Sequence, residues 1–202
     1  MIEALASPQL GAAVRVLTSA FWTYPETVHL LPGEHRRRRV LPRYLLSDAR
    51  DAVRFQTLLG VLEDDRIVGA AAWIPPEAYP VSIGRQARQL IDLAPALPWG
   101  WRAALEAQRG RSKNREYHRR HPPHFYLRAI GVDPTRQSRG FGSSLVVPIL
   151  AVADEQGVGC FLQTATADNV RWYEQFGFCV ADTYHPTPAW PQTWTMWRDP
   201  AP

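Results

Sequence analysis

The alternation of apolar and polar positions divides the chain into short helices and strands. Residues 8–20 (PQLGAAVRVLTSA) carry apolar side chains at helical spacing, with Ser7 ahead of Pro8 as cap and first-turn proline. Tyr24-Pro25 breaks the pattern. It resumes over about 34–47, where Val40, Tyr44 and Leu45 share one side and the arginines the other. Residues 55–62 and 67–73 read as strands joined into a hairpin by Glu63-Asp64-Asp65-Arg66, and Pro75-Pro76 ends that unit. A helical insertion at about 84–108 is interrupted by Pro95 and Pro98, and a basic loop follows at about 109–121. Strand pattern returns over 125–132 and stops at Asp133-Pro134. The remainder reads as a helix at 140–156, a strand at 159–164, a helix at 168–176 and closing strands at 178–184 and 193–198.

This order predicts an α/β fold. The strand–helix–strand crossover in the second half requires parallel pairing, whereas the hairpin is antiparallel. The expected product is a central mixed sheet with helices on both faces, formed by residues 1–202 as one domain.

Composition adds exclusions more than assignments. The longest apolar run, residues 145–153, contains Pro148 and falls far short of the roughly 20 residues a bilayer requires. The amino terminus has no basic n-region, so no signal peptide is expected, and a reducing cytoplasm is the simplest setting for only two cysteines, Cys160 and Cys179. Both fall in strand patterns and read as buried packing groups. The formal net charge is +4, and Lys113 is the sole lysine. Two basic clusters, at 35–39 and 109–121, lack the interleaved aromatics of a nucleic-acid platform and read as solvated faces. Neither nucleic acid nor membrane is an expected partner.

One segment concentrates the chemistry. After the strand stopped by Asp133-Pro134, an exposed loop with Arg136 and Arg139 leads to Gly140-Phe141-Gly142 at the mouth of an apolar helix. Glycines at such a junction let backbone N–H groups approach an anion, and the helix N-terminus adds partial positive charge. Taken alone, a simple turn explains the glycines equally well. No Gly-Lys-Ser/Thr follows, which excludes a Walker loop, and the third glycine of a dinucleotide fingerprint is missing. Downstream, Asn169 and Tyr173 stand four apart and share one helix face. Tyr173 is a candidate proton donor; packing on the core is the other reading.

Together these segments resemble the GNAT superfamily of N-acetyltransferases. Its acyl-CoA motif, Gln/Arg-x-x-Gly-x-Gly/Ala, is matched by Gln137-Ser138-Arg139-Gly140-Phe141-Gly142. Its partner motif, Asn-x-x-x-Tyr-x-x-x-Gly-Phe, is matched by Asn169, Tyr173, Gly177 and Phe178. The resemblance is closest over 125–198 and implies the acyl-CoA N-acyltransferase fold, with acetyl-CoA as cosubstrate and no metal. It further implies that the pantetheine pairs with Ile130 and Val132 between splayed strands. The diphosphate would rest on residues 137–143, including Ser143, with Asn169 and Tyr173 nearby. Val132 N–H would serve the developing oxyanion, and Tyr173 would protonate the departing thiolate.

A finer likeness is to the puromycin N-acetyltransferase branch. It rests on Ala20-Phe21, Tyr24-Pro25, His29, Trp73, Pro76-Glu77, Phe161-Leu162, Thr193-Trp194, Met196 and Pro148. This likeness implies a primary amine on a bulky or aromatic, antibiotic-like small molecule, approached through Tyr24, His29 and Glu77. Gln163 departs from the pattern, because many relatives carry glutamate on that strand; the general base is therefore not carried over. His29, Glu77 and His124 are the titratable candidates. Trp22, Trp99, Trp101 and Trp190 are candidates to line a pocket, with core packing as the other reading. The state expected is monomer or homodimer, and the competing function is a non-catalytic acyl-CoA-binding module.

Overall fold

Neighbouring side chains on the strands enter two separate cores, which is what makes the sheet central. Leu58 and Phe161 pack on one face, while their neighbours Leu59 and Leu162 pack on the other. Each fully buried side chain of this kind stabilises the fold by about 1.5–3 kcal/mol. The computed structural model of the chain describes residues 1–79, 81–94 and 97–201, with the backbone alone described at Leu97, Trp99, Ala103 and 107–115.

The strands are β1 (Ile2–Ala4), β2 (Leu58–Glu63), β3 (Arg66–Ile74), β4 (His124–Val132), β5 (Gly159–Thr164), β6 (Cys179–Tyr184) and β7 (Thr193–Arg198). They form a seven-stranded sheet in the order β1-β2-β3-β4-β5-β7-β6. Pairing is antiparallel throughout except between β4 and β5, which are parallel. The helices are α1 (Leu10–Ala20), α2 (Pro25–Leu30), α3 (Glu34–Arg54), α4 (Ile83–Leu93), α5 (Leu97–Arg120), α6 (Phe141–Glu155) and α7 (Ala167–Glu174). Side chains of α1 and α3 fill one core, and side chains of α6 and α7 fill the other. The mixed α/β architecture expected from the pattern is the one observed. No helix among the described residues is long and apolar enough to cross a membrane.

Several local expectations are corrected. The helical pattern does break before Tyr24-Pro25, but Pro25 at once opens a further helix, α2, that the pattern did not predict, because a proline at the first helical position has no N–H to lose. Helix α3 runs to Arg54, so residues 55–57 form a turn with Gln56 at positive φ instead of strand. Arg37 belongs to no solvated face: it is buried and donates to the carbonyls of Trp22, Leu31 and Pro32, tying α3 to the end of α2. The basic stretch at 109–121 is helical almost to its end, not a loop. It contains no proline before Pro122, and Tyr117 anchors it by stacking 4.3 Å from Phe161. Cys160 is buried as expected, but Cys179 is exposed on the edge strand β6.

Candidate active site

The site begins with a misfit between two strands. Ala72 of β3 pairs with Ala129, but Trp73 pairs with Leu127, so Arg128 is an extra residue in β4. Such a bulge bends the strand and re-aims its side chains. Parallel pairing of β4 with β5 runs from His124 opposite Gly159 to Leu127 opposite Leu162 and ends there. The two strands part at the bulge. Asp133 N–H donates to Val68 O at 2.8 Å, which fixes the parity of the β3–β4 ladder. The backbone groups of Ala129 and Gly131 therefore face β3, and those of Ile130 and Val132 face the gap beside β5.

The loop beyond β4 supplies the next wall. Asp133 terminates the strand by accepting from the backbone N–H of Thr135 at 2.9 Å and its hydroxyl at 2.8 Å. These bonds hold the Asp133 carboxyl below the usual carboxylate range. Ser138 and Gly140 both take positive φ, and Gly140 caps α6. The first α6 bond seen from the loop is Ser144 N–H to Gly140 O, at 3.1 Å. The first-turn N–H groups of α6 have no intrahelical acceptor and point where an anion would sit. A Cβ at Gly140 would meet nothing within 4 Å, so glycine is required by its φ of +80° and not by crowding. At Gly142 the reason is the reverse: a Cβ would lie 3.1 Å from Trp172 of α7.

A cavity of about 1450 Å³ extends from this loop, along the gap, to a chamber under α3, α4 and α5. Of the residues singled out in the sequence, Tyr24, Ile130, Val132, Gln137, Ser138, Gly140, Phe141, Gly142, Ser143, Asn169 and Tyr173 line it. Arg139 does not; its guanidinium turns to Glu63 on the β2–β3 hairpin, which also holds Arg136. Nor do His29, Glu77 or His124. His29 Nε2 lies 2.9 Å from Glu106 of α5, Glu77 is exposed beyond β3, and His124 is buried against His118. Trp190 lines the chamber, whereas Trp22 lies beneath Arg37 and Trp101 is largely exposed. The Trp99 side chain lies outside the described residues.

Two phenols and a carboxylate meet near the parting of the strands. Tyr24 Oη accepts from Ala165 N–H at 2.6 Å and lies 3.1 Å from Thr164 Oγ1, which also accepts from Asn169 Nδ2. Burial and the neighbouring Glu26 push the Tyr24 phenol up to about 12. Tyr173 is buried, edge-on to Trp172 and Phe178, and its hydroxyl has no hydrogen-bond partner among the described residues. Burial, with Tyr24 beside it, raises its pKa far above that of an ordinary phenol, so it stays protonated.

Glu26 was not anticipated. It stands in the first turn of α2 and lines the cavity, accepting from Trp190 Nε1 and Thr193 Oγ1, each at 3.4 Å. Desolvation raises its pKa, opposed by those bonds and by the charges of Arg128 and His29. The available signal was its place directly after a helix-opening proline, beside the already suspected Tyr24. Gln163 fills the position noted for its missing carboxylate and donates to Tyr184 Oη at 2.9 Å. Among the described residues no group of three or more His, Cys, Asp or Glu side chains is placed to hold a metal.

The open backbone edge, the positive-φ loop and the length of the cavity together fit an acyl-CoA. Comparison with known proteins agrees. The model of the acetyltransferase (GNAT) family matches residues 17–178. An uncharacterized N-acetyltransferase of Schizosaccharomyces pombe is 30% identical over 63 residues, which is 31% of this chain and 26% of the yeast protein. The chain thus matches about a quarter of that relative's length. Solved structures share the fold at low identity. A polyamine N-acetyltransferase of Drosophila melanogaster superposes with a TM-score of 0.62 at 16% identity, covering 98% of this chain and 99% of that one. A "histone acetyltransferase HPA2 and related acetyltransferase" of Corynebacterium glutamicum gives 0.67 at 18%, covering 100% and 97%. Arylalkylamine N-acetyltransferase 2 of Aedes aegypti gives 0.63 at 12%, covering 98% of each chain.

Proposed function

The chain belongs to the GNAT acetyltransferase family, and on that premise we propose that it acetylates a primary amine of a bulky or aromatic small molecule. Attack is direct, from amine to thioester. The observation that carries this reading is that Glu26 and Tyr173, whose hydroxyl has no partner among the described residues, line one cavity whose inner end is largely apolar and roofed by helices. Phe21, Leu41, Leu45, Tyr126 and Trp190 contribute to that end. A roofed chamber suits a compact amine better than an extended peptide. Structural relatives that act on polyamines and arylalkylamines support small amines as a class, and the puromycin-like segments support a bulky one.

The cosubstrate supplies a thioester carbonyl and a thiolate leaving group. Ile130 and Val132 would pair with its pantetheine as an added strand does. The amides at residues 138–143 would grip the diphosphate, with Gln137 and Asn169 alongside. Glu26 accepts the proton that an ammonium must lose before it attacks; its raised pKa brings it nearer to neutral pH, where a base works best. Val132 N–H points into the gap, where it would donate to the oxygen that gains charge. Tyr173 holds a proton at Oη for the sulfur.

A panel of primary amines incubated with acetyl-CoA, read by released thiol, tests the proposal. Turnover on small aromatic amines is expected. Turnover confined to lysine peptides would overturn the small-molecule reading, and CoA binding with no turnover on any amine would favour the binding-module reading.

A further inference from the structure

We infer that Arg128 selects acceptors that carry a neutral carbonyl oxygen near the amine. The inference rests on the reading of the chamber as an acceptor site. It begins with the bulge. A regular strand would send side chains 128 and 129 to opposite faces, but the extra residue lets both face the α1–α3 side, where Ala129 enters the core and Arg128 reaches α3. Arg128 Nε donates to Asp48 Oδ1 at 2.9 Å and Nη2 donates to Tyr44 Oη at 3.1 Å. The rings of Tyr44 and Tyr126 each lie 5.8 Å from the guanidinium carbon, so its position is held by packing as well as by charge.

One arm is left over. Nη1 has no partner among the described residues, and Arg128 lines the cavity with its side chain about 20% exposed. Arginine cannot shed its charge, and Asp48 holds it well above its ordinary pKa, so this arm always presents N–H donors to the chamber. The arm is reached from the cavity, so a ligand oxygen that enters the chamber can accept from it.

The charge balance chooses between a carboxylate and a carbonyl. Among the described residues, the charged side chains at the acceptor end of the cavity are Glu26, Asp48 and Arg128. Asp48 compensates Arg128, and Glu26 compensates the incoming ammonium. A substrate carboxylate would then face two acids with a single cation already paired. A neutral carbonyl takes the Nη1 donors without adding charge.

Three probes isolate the effect: phenethylamine, phenylalaninamide and phenylalanine, compared by kcat/KM with saturating acetyl-CoA. Phenylalaninamide should exceed phenethylamine by at least about tenfold, the range expected for a hydrogen bond to a charged group, and should exceed phenylalanine as well. Arg128→Lys retains a cation for Asp48 but lacks the second arm, so the amide-to-phenethylamine ratio should collapse by at least about tenfold from its value in the unmodified protein, through a raised KM for the amide. Whatever preference is left belongs to the lower basicity of an amine beside a carbonyl. If that variant does not fold, the double variant Arg128→Met with Asp48→Asn removes the buried pair together and should give the same collapse. Turnover of phenethylamine with no preference for the amide overturns the inference while leaving the proposed function standing, as does a ratio unchanged in either variant. A preference for phenylalanine overturns the charge argument. No turnover on any probe, with none in the wider amine panel, overturns the functional reading beneath it.

Discussion

His118 Nδ1 lies 2.7 Å from His124 Nε2, and the proton between them is assigned by what lies on either side. His124 Nδ1 faces the carbonyl of Pro122 at 2.7 Å and must carry a hydrogen, which leaves its Nε2 to accept from His118. The far nitrogen of His118 is buried with no partner among the described residues. Burial and the neighbouring imidazole depress His118 to about 3, and burial depresses His124 as well. Through this pair, α5 is anchored to the start of β4.

The stability expected from this pair follows directly. Both imidazoles are neutral when folded and titrate near 6.5 when unfolded, so between about pH 3 and pH 6.5 the unfolded state binds more protons. The contribution is complete above that range and declines as pH falls below 6.5. Melting temperature measured from pH 7.5 to pH 5 should fall in the unmodified protein. His118→Phe should melt lower at pH 7.5, because His124 Nε2 loses its donor at a cost of about 1–3 kcal/mol, and should show a shallower decline toward pH 5. Parallel pH profiles would assign the sensitivity elsewhere.

Removing the Glu26 carboxylate should slow catalysis without loosening the cosubstrate. Glu26→Gln keeps acceptor capacity for Trp190 and Thr193, so folding is preserved. Turnover should drop by about 100- to 10,000-fold, the usual contribution of a general base. The pH–rate profile carries a second check. The base acts when deprotonated, so the rate should rise with pH through a value above the ordinary glutamate pKa of 4.5, and this limb should vanish in the variant.

Tyr173→Phe separates acid catalysis from packing. Among the described residues the hydroxyl has no hydrogen bond to lose, and the ring contacts with Trp172 and Phe178 survive. Melting temperature should therefore hold within a degree or two of the unmodified protein, while turnover falls by about 100- to 10,000-fold. Full turnover in the folded variant would assign the proton to water.

Gly140 offers a conformational test, since open space surrounds it. Gly140→Val must adopt a left-handed φ at a cost of about 1–2 kcal/mol or reshape the loop. Asparagine tolerates that region. CoA-induced stabilisation, read as the shift in melting temperature, should be lost in Gly140→Val and largely kept in Gly140→Asn. Equal loss in both would mean that bulk, and not φ, is the obstacle.

What was legible in advance is local in the chain. The limits of β5 and β7 coincide with the patterned runs at 159–164 and 193–198, because alternation and flanking turn residues are properties of neighbours. The glycine loop and the Asn169–Tyr173 spacing likewise lie within single short segments, and all four of Gly140, Gly142, Asn169 and Tyr173 line the cavity. Tertiary structure decided the rest. Helix α5 carries a basic stretch with little amphipathic signal and is held by Tyr117 on Phe161, a contact between residues far apart in sequence. Glu26 meets Trp190 and Thr193 only because the end of the chain folds back across α2. Arg128 reaches the chamber through a slip in pairing between β3 and β4, and a bulge belongs to the register of two strands, not to the composition of either. Spacing within a segment determines which face a residue occupies. Which distant groups share that face, and hence which acid, base or donor a substrate meets, depends on how the segments pack.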